Sequence, residues 1–222
     1  MKIKTNFPVA VDSLDHLYPW GTKYDNHSSP PLITEIENYF KRAGHPSQGK
    51  KISFLDIGCS GGQFAVDFHN RGHIAVGLEG SDYSVKNKRA NWPAHYNNVL
   101  FTCDATKPYE ILNSNGEKVM FDCISAWEVI EHIHPDCLDQ FFLNISNHMK
   151  PTSIFLGSVS LVNDFHDGRG EFGKKVDLHR AVYTKEKWYN EILNKYFEVR
   201  EYIFAHKVRN EATSFYVTLV KL

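Results

Sequence analysis

Three things are scarce in this chain of 222 residues, and each scarcity removes a class of protein. Cysteine is scarce: Cys59, Cys103, Cys123 and Cys137 are the four present, and no two of them form a Cys-x-x-Cys pair. The first three fall in apolar stretches, so buried reduced thiols are expected rather than a disulfide framework or a structural zinc site. Net charge is scarce: 25 basic and 26 acidic side chains leave −1. That balance lacks the electrostatic footprint of a protein that holds long nucleic acid or an anionic membrane, and neither partner is expected. The clusters Lys86–Arg89 and Lys174–Lys175 are short, as solvated surface usually is. Long apolar runs are scarce as well, so no segment is expected to span a bilayer. Residues 1–10 hold two lysines but no apolar signal core, which makes the cytoplasm the expected compartment.

What is present after residue 50 is an alternation of short apolar runs with amphipathic stretches. Residues 51–57 (KISFLDI), 73–79 (HIAVGLE), 99–103, 119–125 and 153–160 (SIFLGSVS) have the character of buried strands. Residues 63–71 and 135–149 have helical periodicity, the second with Leu138, Phe141, Phe142 and Ile145 on one face. A helix over 184–196 follows, then strands over 197–205 and 214–220 joined by a short polar connection. That connection makes a hairpin, so the last strand must run antiparallel to its neighbour. The expected fold is α/β and doubly wound, with a seven-stranded, mostly parallel sheet ending in a C-terminal antiparallel hairpin. The domain is expected over residues 30–222, preceded by an arm or lid over 1–29. Residues 1–29 and 161–182 show no regular pattern and are expected as lids or disordered segments near the carboxyl ends of the strands.

The strongest motif is FLDIGCSGGQF, residues 54–64, which ends one expected strand and opens a helix. Glycines there let the backbone turn tightly, and a helix N-terminus offers unpaired N–H groups to an anion. Its companions matter more. Glu79 ends the second strand, 23 residues after Asp56, where an acid can take hydrogen bonds from two ribose hydroxyls, and Asp104 follows the third strand. Acids are common at the start of loops, yet three successive strands ending in acids at this spacing are not. A dehydrogenase is the weaker reading, since Ser60 stands where a G-x-G-x-x-G fingerprint needs its second glycine. No G-x-x-x-x-G-K-[ST] is present, which excludes a P-loop NTPase.

With these residues in view, the chain resembles the class I S-adenosylmethionine-dependent methyltransferases over about residues 50–220. Asp56–Gly62 is similar to their cofactor loop in the variant with serine for the middle glycine. FDCISAWEVIEH, residues 121–132, is similar to the fourth-strand motif beside the methyl group, and KPTSIFL, residues 150–156, to the start of the fifth strand. Thr152 and Ser153 depart there from the usual glycines. The resemblance implies a Rossmann-like fold and S-adenosylmethionine as cofactor. It implies cofactor contacts at Asp56, Gly58, Cys59, Ser60, Gly61, Gly62, Phe64, Glu79, Gly80, Ser81, Asp104, Ala105 and Trp127. The acceptor is expected to be a small molecule or a glycan, nucleotide or lipid precursor, and one fold hosts many acceptors.

Glu128, Glu131 and His132 stand at i, i+3 and i+4 and would share a face if this turn is helical. The pattern resembles the Glu-x-x-Glu-His of metal-dependent small-RNA 2′-O-methyltransferases and of some ubiquinone-pathway O-methyltransferases. In the RNA enzymes a further histidine follows the fifth strand, and His179 occupies that place here. The resemblance therefore implies Glu128, Glu131, His132 and His179 as ligands of magnesium or manganese. Glu-His after the fourth strand also occurs in metal-free small-molecule methyltransferases, where the histidine lines the pocket or acts as base. In either case His132, His179 and Glu128 are the expected catalytic or acceptor-contacting residues. Two alternatives remain: a metal-dependent RNA 2′-O-methyltransferase, and a non-catalytic subunit that keeps the cofactor site.

Overall fold

The fold is taken from a computed structural model that describes residues 1–42, 45, 48–166 and 176–221. The chain begins with β1 (Lys2–Thr5), two short helices α1 (Leu14–Leu17) and α2 (Trp20–Tyr24), and the longer α3 (Pro30–Phe40). Pro30 starts α3, and Leu32, Ile33, Ile36 and Phe40 make its buried stripe. Then come β2 (Ser53–Ile57), α4 (Gln63–Asn70), β3 (Ile74–Glu79), α5 (Tyr83–Lys86), α6 (Trp92–His95), β4 (Leu100–Thr102) and β5 (Tyr109–Leu112). The second half holds β6 (Phe121–Trp127), α7 (Leu138–His148), β7 (Met149–Ser160), β8 (Phe165–His166), β9 (Val176–Asp177), α8 (Lys185–Lys187), β10 (Phe197–Glu201) and β11 (Ser214–Lys221).

Seven strands form the main sheet in the order β10-β11-β7-β6-β2-β3-β4. The pairs among β4, β3, β2, β6 and β7 are parallel, while β11 runs antiparallel to both β7 and β10. The expected sheet and hairpin are therefore observed. β2 and β6 are buried along their whole length, as strands covered on both faces must be. Two apolar layers flank the sheet. One gathers Phe141, Phe142, Ile145 and Trp188; the other gathers Ile33, Phe40, Phe54, Phe64 and Phe68. The order of strands reverses between β2 and β6, so their carboxyl ends open the crevice where doubly wound sheets bind ligands.

Three expectations are corrected. Residues 1–29 are not irregular: β1 pairs antiparallel with β5, and α1 and α2 follow it across the carboxyl ends of the strands. Ser13 caps α1 by accepting the His16 amide, which single-sequence periodicity does not reveal in a four-residue helix. The 161–182 segment contains the antiparallel β8–β9 pair, while its residues 167–175, Lys174 and Lys175 among them, lie outside the described residues. The helix expected over 184–196 is one α turn, a π turn over Trp188–Ile192 and a 3-10 turn over Leu193–Lys195. Among the described residues no helix is long and apolar enough to cross a membrane.

Candidate functional site

The cofactor side is built where β2 gives way to α4. Cys59 and Gly58 both donate their amides to the Leu78 carbonyl, which bends the loop back over β3. Ser60 is left-handed (φ 48°) and Gly62, which starts α4, more so (φ 86°), so the turn exposes its amides instead of continuing the strand. The Ser60 amide donates to Glu79 Oε2 at 2.8 Å and the Ser81 amide to Glu79 Oε1 at 3.0 Å. Glu79 is only 6% exposed. Burial pushes its carboxyl up to about 7 against the opposing pull of those two amides. Asp56 lies one strand over, in register with Ser125, whose hydroxyl donates to Oδ1 at 2.7 Å. Burial carries Asp56 to about 7 as well, with the nearby charges of Asp25 and Glu79 adding to the rise. Asp104 takes the Thr106 amide and hydroxyl on Oδ1, at 2.9 and 2.6 Å.

The structure brings Asp56, Ser60, Glu79, Gly80, Ser81 and Asp104 to one edge, but it turns other expected residues away. Phe64 points into the core, edge-on to Phe54 and Phe68. The Cys59 thiol packs behind the loop against Gly77, and Gly62 presses on Leu100. Ala105 offers its carbonyl to Asn144 and is half-buried. Trp127 ends β6 within an aromatic group, 6.2 Å from Tyr202 and 6.3 Å from Tyr216 between ring centres, and its buried Nε1 has no partner.

The arm completes this side through contacts of Asp25 and Asn26 with the cofactor loop. Ser60 Oγ donates to the Asp25 carbonyl at 2.8 Å, and Asn26 Oδ1 accepts the Gln63 amide at 3.1 Å. Arg89 donates to the carbonyls of Lys23 and Asp25, yet its Nη1 is buried without a partner. Asp25 also pairs through its carboxylate with Arg209, in the loop before β11.

The acceptor side follows β6. Glu128 takes a left-handed conformation (φ 54°), and the next turn, Ile130–His132, is 3-10. The expected common face of Glu128, Glu131 and His132 therefore does not form. Glu128 instead accepts the Ser214 hydroxyl at 2.6 Å. Glu131, His132 and His179 do meet, with one ligand atom from each lying within 4.8 Å of the others. Glu131 is fully buried: Oε1 accepts the Ser160 amide, and Oε2 has no partner. Burial raises its carboxyl to about 8 despite the neighbouring His132 charge. The ring of His132 makes an ion-pair contact through Nδ1 with Asp15 Oδ1 at 3.1 Å, without the angle of a straight hydrogen bond. Burial works against the charge on His132, but Asp15, Glu131 and Asp164 carry it to about 9. His179 Nδ1 lies 2.5 Å from the Val162 carbonyl, which can only accept, so that nitrogen carries the proton and Nε2 the lone pair. Burial and the His132 charge hold His179 below the ordinary histidine value.

These donors suit a divalent cation: a buried carboxylate oxygen without a partner lies beside two imidazoles, one holding the Val162 carbonyl through Nδ1 and the other in ion-pair contact with Asp15 through Nδ1. They suit an S-adenosyl cofactor too, since the buried Glu79 carboxylate stands at the cofactor loop and the buried Arg89 Nη1, on the residue that ties the arm over that loop, has no partner.

The family described as a methyltransferase domain matches residues 24–202. The ubiquinone biosynthesis O-methyltransferase of Rickettsia typhi is 27% identical over 119 residues, which is 54% of this chain and 44% of that protein. The chain spans about half the length of the curated relatives it matches. Among solved structures, the DhpI complex with SAH superposes with a TM-score of 0.57 at 11% identity, covering 98% of each chain. The glycopeptide N-methyltransferase MtfA in complex with S-adenosylmethionine gives 0.54 at 12% identity, covering 90% of each. At such identities these two establish a shared fold.

Proposed function

This chain belongs to the class I S-adenosylmethionine-dependent methyltransferases through its methyltransferase domain at residues 24–202, and on that premise we propose that it methylates an oxygen or nitrogen of a small molecule or of a glycan, nucleotide or lipid precursor. The observation that carries the cofactor half is Glu79, buried at the end of β3 and bracketed by the Ser60 and Ser81 amides. In this reading Glu79 takes the ribose hydroxyls, Asp104 the adenine amino group, and the turn from Gly58 to Gly61 runs beside the methionyl part. When bound, the sulfonium supplies a methyl group that is already reactive. What the chain must do is hold the acceptor in line, a task worth about 7–11 kcal/mol in favourable cases. Trp127 and Glu128 end the strand next to that point, and Glu131, His132 and His179 face the acceptor. We assign the protein to the cytoplasm, which agrees with its four free cysteines.

A metal-assisted version is favoured by one feature, the anchoring of both histidines through Nδ1. Glu131, His132 and His179 would hold magnesium or manganese, which would polarise an acceptor oxygen. Glu128 belongs instead with Ser214, as an acceptor for an N–H or O–H of the substrate.

Calorimetric titration with S-adenosylhomocysteine tests the cofactor half. Glu79→Ala is expected to lose about 1–3 kcal/mol of binding, the cost of leaving polar groups unpaired. No binding by wild type would sink the proposal. Transfer of a tritiated methyl group to catechols, phenols, primary amines and a short RNA 3′ end then sorts the acceptor. Binding without transfer to any acceptor would favour a non-catalytic subunit.

A further inference from the structure

We propose that Asp15, carried on α1 of the N-terminal arm, is a positioning residue that sets the His132 ring for a divalent cation shared with Glu131 and His179. The inference rests on the metal-assisted reading and extends it to a part of the chain outside the strand-and-helix domain.

The argument begins with what each imidazole has left to offer. A ring that ligates a metal through one nitrogen is held in place through the other, commonly by a carboxylate or a backbone carbonyl. His179 has the carbonyl, that of Val162, on Nδ1. His132 has the carboxylate: Asp15 Oδ1 is 3.1 Å from its Nδ1. Each ring thus meets a holding group at Nδ1, which leaves Nε2 to offer to a common centre, and one ligand atom from each of Glu131, His132 and His179 lies within 4.8 Å of the others. Their ring centres lie 4.7 Å apart with the ring planes at 78°, so the two do not stack. Glu131 supplies the third donor, the unpartnered and fully buried Oε2.

Asp15 is not a casual surface carboxylate. The arm is fixed on either side of it. Ala10 donates its amide to the Gly80 carbonyl at 2.9 Å, and Ser13 caps the turn that carries Asp15. On the far side, His16 Nδ1 lies 3.8 Å from Asp82, and Ser60 holds the Asp25 carbonyl. An arm tied at both ends thus presents one short acid to His132. The arm therefore contributes to the acceptor side as well as lying over the cofactor loop.

The test uses the full chain and manganese(II), followed by electron paramagnetic resonance, in wild type, Asp15→Ala, Asp15→Asn and Asp12→Asn. Asp12 is exposed on the same arm and serves as the control. Asp15→Ala is expected to weaken manganese binding about 10–100-fold, the usual consequence of losing such a holding group. Asp15→Asn should lose less, because its amide oxygen can still face the ring Nδ1, and Asp12→Asn should match wild type. S-adenosylhomocysteine binding should not weaken in any of the four, which a mere loosening of the arm over the cofactor loop would not allow. Equal manganese affinity in Asp15→Ala and wild type would overturn the inference, and so would wild type that takes no manganese. In the latter case retained S-adenosylhomocysteine binding leaves the methyl-transfer reading standing; its loss removes that reading separately.

Discussion

The carboxylate of Asp25 pairs with the guanidinium of Arg209, joining the N-terminal arm to the loop before the last strand. The same residue's carbonyl takes hydrogen bonds from Ser60 and Arg89, so one position fastens the cofactor loop to the C-terminal hairpin. Asp25→Ala should let the arm open more often. An opening made easier by about 1.4 kcal/mol is tenfold more frequent, and S-adenosylhomocysteine should leave about tenfold faster. Stopped-flow fluorescence reads this rate, with Trp20 on the arm as reporter; an unchanged off-rate would count against the arm as a barrier.

Gly61 offers a cleaner case. A Cβ there would fall on the side chain of Asn26, and the backbone at Gly61 is not left-handed, so space alone decides. Gly61→Ala should cost about 1–3 kcal/mol, as overpacking does. Asn26→Ala frees that space, and the double variant should recover much of the loss. Additive losses in a double-mutant cycle by urea denaturation would show that the two positions do not meet.

Glu79 gives stability a pH dependence with a definite sign. Burial raises its carboxyl from 4.5 to about 7, so the folded state favours the protonated form. The resulting stabilisation is complete below the unfolded value and is lost as pH rises through 7. A rise of that size is worth about 3 kcal/mol. Asp56, also raised to about 7, acts in the same direction. Stability should therefore fall between about pH 4 and 7, and Glu79→Gln should flatten part of that fall. Cofactor binding runs the other way, since the ionised carboxylate is the better partner for ribose hydroxyls. A stability profile identical in Glu79→Gln would contradict the assignment.

The indole of Trp92 donates to the Ser60 carbonyl at 2.7 Å, in full burial. Trp92→Phe leaves that carbonyl without its donor and should cost about 1–3 kcal/mol in urea unfolding. It should also slacken the turn that aims the Ser60 amide at Glu79, weakening S-adenosylhomocysteine in parallel. Loss of stability with wild-type affinity would mean that the turn is held by other contacts.

The sheet was legible because strands such as 53–57 and 121–127, buried over their full length, are predominantly apolar and alternate with amphipathic stretches. The turn after β2 was legible because only residues tolerant of left-handed backbone close it. The arm was not: α1 and α2 are too short for periodicity, and their stability comes from bonds to Gly80, Ser60 and Arg89, all distant in sequence. Asp15, Asp25 and Arg209 were missed for that reason. Glu128 was misjudged because residue spacing assumes a regular helix, and a left-handed residue rotates the side chains that follow out of that frame. Motif position assigns Phe64 to the ligand, whereas Phe54 on β2 and Phe68 one turn further along α4 claim its ring.

The pairing of β1 with β5 has a consequence for how this protein behaves outside its chemistry. Lys2 to Thr5 cover the hydrogen-bonding edge of Tyr109 to Leu112, a strand in which Tyr109 and Ile111 are buried. An uncovered edge of that kind is a template for another chain. Lys2–Thr5 therefore close an edge that would otherwise be open to another chain, and Lys4 reinforces the closure by pairing with Glu110. A shortened chain or a bulky fusion at Met1 would leave that edge open, and aggregation would set in while the main sheet was still intact.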